Sequence, residues 1–296
     1  NRTIRTFLIG PDCFLQKKQK KPLMIFPDIE AFIEVFTSYA ENFRQGSQED
    51  LINIDHKLTH SLRVLQNARV IVRSLHLGSA CSHTALLAAL FHDIGRFPQY
   101  FRHKTFLDAQ SEDHGLLGAK TLQQTKFLSG LDSKKQKEII GAVFLHNRYH
   151  LPKHVAENIR LITNIVRDAD KLDILPSVIS NLAPDSDRNP AITLHLAPHP
   201  AAYTETVYLD VMAGRMAKYE ELRWLHDFTI TLCGWVFDLN FPASRQLFVE
   251  QGYLESLIGN LPETPEIQAL EQRIRKELLN CAAMDTLDLN KCLSAC

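Results

Sequence analysis

Leu86-Leu87-Ala88-Ala89-Leu90-Phe91-His92-Asp93-Ile94-Gly95 is the stretch on which the reading of this chain turns. It fits a helix running from Ser79 or Ser82 to Asp93, with Gly95 placed to end it. On that helix His92 continues the line of Ala85 and Ala88, and Asp93 continues the line of Leu86 and Ala89. Two polar groups thus close an otherwise apolar helix. A helix end can aim neighbouring side chains at one point, whereas mid-helix neighbours diverge by about 100°. A His-Asp dipeptide is ordinary on its own; its position here makes it informative.

The helical pattern extends to both sides. Asp28 can cap a helix whose apolar residues Ile29, Phe32, Phe36 and Tyr39 recur at helical spacing. A second helix is expected from about Glu49 to His76, stopped by Gly78. Beyond the His-Asp pair, helices are expected at 112–128, 133–147 and 154–175. Residues 181–202 carry Pro184, Pro190, Pro198 and Pro200 and form the clearest break, with a short strand expected at Ile192–Leu196. Helical patterning then resumes to about Met284. The expected division is a lead-in at 1–27, a helical domain at 28–180, and a C-terminal helical extension at 181–296 packed on it. Burying Trp235, Phe237 and Phe248 requires that packing.

Further polar residues interrupt apolar stripes. In the 154–175 helix the inward face reads Val155, Ile159, Ile162, Val166, and the next position on it is Asp170. A buried carboxylate is costly unless a positive partner neutralises it, and either a metal ion or an arginine would serve. His146 follows Ile139 and Val143 on one stripe. His114 opens a helix after Ser111-Glu112-Asp113, and Gly115 and Gly118 allow close backbone approach. His60 shares a face with Val64 and Asn67, near Arg63. A hydrogen-bonded core histidine is the plain alternative for each of these taken singly.

Taken in order, the set resembles the HD superfamily of metal-dependent phosphohydrolases, whose signature is a histidine, a His-Asp pair and a distal aspartate on consecutive helices. The resemblance rests on Thr59-His60-Ser61-Leu62-Arg63-Val64, on His92-Asp93-Ile94-Gly95-Arg96-Phe97, and on Arg167-Asp168-Ala169-Asp170-Lys171-Leu172-Asp173. It implies an all-α, HD-type helical bundle. It also implies that His60, His92, Asp93 and Asp170 bind a first ion. His114 and His146 match the additional histidines of two-metal members, in which the counterpart of Asp93 bridges the ions. Imidazoles with carboxylates suit Mn, Fe, Co, Ni or Zn, with Mg less favoured. His56 is at most a supporting group, and His150 reads as a surface histidine.

A site of this kind is expected to hydrolyse a phosphomonoester or phosphodiester of a small molecule, a nucleotide in the first instance, by a metal-activated hydroxide. The substrate phosphate needs fixed positive charge, for which Arg63, Arg96, Lys171 and Arg148 are candidates. Arg63 or Arg96 can instead pair with a carboxylate such as Asp168 or Asp173. Two other readings stand beside hydrolysis: a di-iron oxygenase of the same superfamily, and a silent ligand-binding sensor.

Composition excludes some classes and leaves others open. With 45% apolar and 23% charged residues, the chain of 296 can bury a large core. Its net charge of −1 gives no bulk attraction to nucleic acid or to anionic membrane. The basic run Lys17-Lys18-Gln19-Lys20-Lys21 reads as a solvated segment. Six cysteines show no zinc-type spacing and no disulfide framework, although Cys292 and Cys296 would be close on a helix. No apolar stretch is long enough to span a bilayer, no signal peptide opens the sequence, and a cytoplasmic protein is expected.

Overall fold

The apolar spacing that begins at Ile29 does fold as helix. In the computed structural model, residues 29–284 are described, apart from 184, 185, 187 and 191. The proposed cap at Asp28, the basic run at 17–21, and Cys13, Cys292 and Cys296 lie outside the described residues. The N-terminal half comprises α1 (Ile29–Glu41), α2 (Gln48–Ser74), α3 (Ser79–Phe91), α4 (Arg96–His103), α5 (His114–Thr125), α6 (Ser133–Leu145) and α7 (Glu157–Leu182). After the proline-rich break come α8 (Glu205–Met212), α9 (Leu225–Gly234), α10 (Pro242–Glu250), α11 (Tyr253–Ile258) and α12 (Pro265–Met284). The protein is all-α.

Helix α3 sits at the centre because it has no polar face. Thr84 to Phe91 are all buried, and the helix packs against α1, α2, α6 and α7. Helix α2 starts with a reciprocal cap. The Ser47 amide donates to Asp50 Oδ2 (2.9 Å), and the Asp50 amide donates to the Ser47 hydroxyl (3.2 Å). It ends at Ser74, two residues earlier than expected. His76 takes the left-handed conformation (φ 52°), and Gly78, which was expected to stop α2, instead precedes α3.

Three other expectations need correction. Arg96–His103 forms α4, which the patterning did not reveal; Pro98 is tolerated there because the first turn of a helix needs no N–H partner. Helix α7 runs on to Leu182 through Pro176 instead of stopping near 175. Pro176 offers no N–H to the Leu172 carbonyl four residues earlier, and the Tyr253 hydroxyl of α11 donates to that carbonyl (3.3 Å). The strand expected at Ile192–Leu196 is a turn. Leu194 and His195 have φ of 55° and 56°, and the Thr193 and His195 amides donate to the Asn189 and Pro190 carbonyls. Left-handed residues cannot extend a strand. Among the described residues, strand-like pairing is limited to one bridge between Ala197 and Trp224.

The C-terminal helices join the N-terminal ones through α7. Phe241, Phe248, Leu254 and Leu257 belong to the same apolar core as Leu172 and Leu175, and Trp235 is buried while Trp224 and Phe237 are partly so. Polar contacts reinforce this. Asp168, with no exposed surface, accepts from the Asn240 amide and side chain (2.8 Å each) and from the Phe241 amide (3.1 Å). Asp238 accepts from Lys171 (2.6 Å) and Arg167 (2.8 Å).

Candidate metal centre

Five helix segments bring the polar interruptions of the sequence to one place. His60 projects from the buried face of α2 beside Ser61 and Val64. His92 and Asp93 lie in the turn just beyond α3, which is closed by Ile94 N–H to the Phe91 carbonyl and Arg96 N–H to the Asp93 carbonyl. His114 is the first residue of α5, whose cap Asp113 accepts from the Leu116 amide (2.9 Å). His146 follows the last residue of α6, and Asp170 lies within α7. Gly95 and Gly118 let the His-Asp turn touch the first turn of α5. A Cβ on Gly95 would clash with the His114 carbonyl and stand 2.5 Å from the Gly118 nitrogen.

The side chains form two clusters that share Asp93. In the first, His60 Nε2 lies 3.2 Å from His92 Nε2 and 3.1 Å from Asp170 Oδ1, and Asp93 Oδ2 is 3.6 Å and 3.8 Å from the two histidines. In the second, His114 Nε2 lies 3.1 Å from His146 Nε2, with Asp93 Oδ1 3.6 Å and 3.7 Å away. Each oxygen of Asp93 thus faces a different pair of imidazoles. His60–His92–Asp93 and Asp93–His114–His146 are both close enough to hold a metal ion, and all of these residues are buried.

The hydrogen bonds behind the histidines decide which nitrogens are free. The Nδ1 of His60 donates to Asp173 (2.7 Å) and that of His114 to Asp108 (2.6 Å). The Nδ1 atoms of His92 and His146 lie 2.8 Å and 2.7 Å from the Ala89 and Val143 carbonyls. Carbonyls and ionised carboxylates only accept, so each Nδ1 carries a proton, and Nε2 is the nitrogen that turns a lone pair inward when a ring holds a single proton. Two such lone pairs at 3.1–3.2 Å repel unless a cation lies between them. Asp170 Oδ1 is buried with no hydrogen-bond partner of good geometry. Convergent lone pairs, a carboxylate facing both pairs and an unsatisfied buried oxygen together fit divalent cations.

Electrostatics keep the carboxylates ionised. Burial opposes charge on Asp93, yet Lys57, His92 and Arg96 overcome it and hold the carboxyl well below its usual range. Burial is likewise overcome at Asp170 by His60 and His92, and at Asp173 by His60 and Arg63. Burial pushes His114 down to about 4 despite the Asp108 hydrogen bond, so its ring is neutral near pH 7.

The candidate cations are placed unequally. Arg96 reaches to 3.4 Å from Asp93 Oδ1 and pairs with Asp108 (2.9 Å). Arg63 does pair with Asp173 (2.6 Å), behind His60. Arg148 pairs with Asp113, and Lys171 is directed to Asp238 and the C-terminal helices. His56 and His150 are exposed and outside both clusters. Three contributors went unread in the sequence: Lys57, whose ammonium lies 2.9 Å from Asp93 Oδ2; Asp108, behind His114; and the role of Asp173 behind His60. Lys57 precedes His60 by three residues, a same-face spacing that could have revealed it.

An all-helical bundle closes here on two His/Asp clusters that could hold metal ions. Residues 58–175 match the family model of the HD domain, a stretch that runs from α2 into α7 and contains all six clustered side chains. The chain thus contains an HD domain, the domain of a superfamily of metal-dependent phosphohydrolases. Searches of curated proteins and of solved structures returned no match.

Proposed function

We propose that the protein hydrolyses a phosphomonoester or phosphodiester, with a nucleotide as the expected substrate, using two divalent ions. The observation that carries this reading is the inward display of four Nε2 lone pairs around the two oxygens of Asp93. His60, His92, Asp93 and Asp170 would hold the first ion, and Asp93, His114 and His146 the second. Bound divalent ions supply an activated water and Lewis-acid contacts for phosphoryl oxygens.

The chain's own residues do the rest. Asp173 and Asp108 orient His60 and His114, and burial of the cluster excludes bulk water. The cluster opens where Asp170, Lys57 and Arg96 emerge, their side chains 22%, 15% and 15% exposed. A phosphate arriving there meets positive charge at the rim. The nucleotide portion of the proposal rests on the family resemblance.

Metal analysis at saturation provides the test. Two ions per chain are expected, one in His146→Ala, and neither binding nor activity in Asp93→Ala. Unchanged stoichiometry in Asp93→Ala would overturn the ligand assignment. A screen of nucleotides and cyclic nucleotides with Mn, Co and Mg then tests the reaction. The set of four histidines and two aspartates also suits a di-iron oxygenase of the superfamily; iron content together with oxygen consumption would decide for that reading.

A further inference from the structure

We propose that Lys57 is the site's substrate-binding cation: its ammonium, which lies against Asp93 in this structure, would pass to the substrate phosphoryl group when ions occupy the Asp93 oxygens. The inference rests on the phosphohydrolase reading and adds to it a residue that the HD signature does not contain.

The argument is one of partners. Every other cation near the cluster is committed to a carboxylate outside the six clustered side chains: Arg63 to Asp173, Arg96 to Asp108, Arg148 to Asp113, and Arg167 and Lys171 to Asp238. These pairs need not change when the clusters fill. Lys57 differs. Among the described residues its one carboxylate partner is Asp93 Oδ2, at 2.9 Å. That oxygen is the one facing His60 and His92.

An oxygen shared with a divalent ion has less charge to offer an ammonium, and the ion repels that ammonium. Lys57 would then stand with a positive charge, 15% exposed at the cluster mouth, and no carboxylate to neutralise it. A phosphoryl oxygen is the anion such a position fits. The lysine is also kept from swinging away. Its ammonium lies 5.3 Å from the centre of the Phe106 ring, which is itself stacked on Tyr100 at 4.8 Å. This ring contact does not involve Asp93 and stays available when metal occupies the Asp93 oxygens.

Titration calorimetry of the Mn-loaded full chain with inorganic phosphate tests this, alongside metal counts. Lys57→Gln and Lys57→Met are expected to retain two ions per chain and to bind phosphate at least tenfold more weakly. Lys57→Met keeps an unbranched side chain of similar length and supplies a second neutral variant should the glutamine be poorly tolerated. Lys57→Arg should recover most of the affinity. With p-nitrophenyl phosphate as probe, the loss should fall on KM at least as much as on kcat. Phosphate affinity equal to wild type in both neutral variants would overturn the role of Lys57 and leave the phosphohydrolase reading standing. Loss of an ion in those variants would also overturn it, by making Lys57 a support for Asp93. Wild-type protein that carries two ions yet binds no phosphate and cleaves no ester would overturn both readings.

Discussion

Asp173 illustrates how much of the site lies one residue behind the ligands. It accepts from His60 Nδ1 on one side and from the Arg63 guanidinium on the other, which orients the imidazole and raises the basicity of its inner nitrogen. Asp173→Asn preserves the shape and removes the charge. Its effect should be confined to the first ion, with metal affinity falling about 10- to 100-fold. The second ion should be spared, because His114 is oriented by Asp108. Chelator competition on the two ions measures this, and equal loss of both would show that the clusters are not independently supported. Of the six clustered residues, His92, Asp93, His146 and Asp170 stood out because they interrupt an apolar stripe or close an apolar helix, whereas His60 and His114 were legible chiefly through the resemblance to the HD signature. Asp108 was not legible, because it sits in a short turn with no periodicity to break.

At the scale of elements, the His-Asp turn depends on close backbone approach to α5. Gly95 has an ordinary negative φ, so its requirement is for space, not for conformation. Both atoms a Cβ would meet first are backbone, which cannot rotate away. Gly95→Ala should therefore cost about 1–3 kcal/mol and displace the first residue of α5, which is His114. Urea unfolding with parallel metal counts is the check: a lower midpoint and loss of the second ion before the first are expected. Wild-type values of both would mean that the turn has slack. Helix positions were readable over most of the chain because burial follows period 3.6. The apolar-polar alternation of Ile192-Thr193-Leu194-His195-Leu196 misled, because local amide bonds to Asn189 and Pro190 curl the segment before it can extend.

For the whole molecule, the question is how the C-terminal helices are held. Asp238 unites Arg167 and Lys171, which are only 10% and 13% exposed, so its removal leaves two poorly solvated cations. Asp238→Asn should cost about 1–3 kcal/mol, the range for unpairing buried polar groups. Burial opposes the Asp238 charge, but Lys171 and Arg167 overcome it and hold the carboxyl below its usual range. A depressed folded-state pKa contributes stability that is present above the unfolded value of about 4 and is lost as pH falls through the folded value. The stability gap between wild type and Asp238→Asn should accordingly close on acidification below about pH 4. A gap constant from pH 7 to 3 would assign the effect to packing. That Lys171 serves this clamp was hidden from the sequence, since its partner lies 67 residues away.

Arg167 to Asp173 is thus read from two sides in alternation: Asp170 and Asp173 toward the histidines, Arg167, Asp168 and Lys171 toward the C-terminal helices. The Leu172 carbonyl joins the second set through Tyr253, by way of a proline four positions on. The segment can therefore tolerate changes of letter more readily than changes of length. One residue inserted between Asp168 and Asp170 would rotate everything after it by about 100° relative to everything before. Such an insertion would misalign the histidine-facing carboxylates with the Asn240 and Phe241 amides, whichever residue type it introduced.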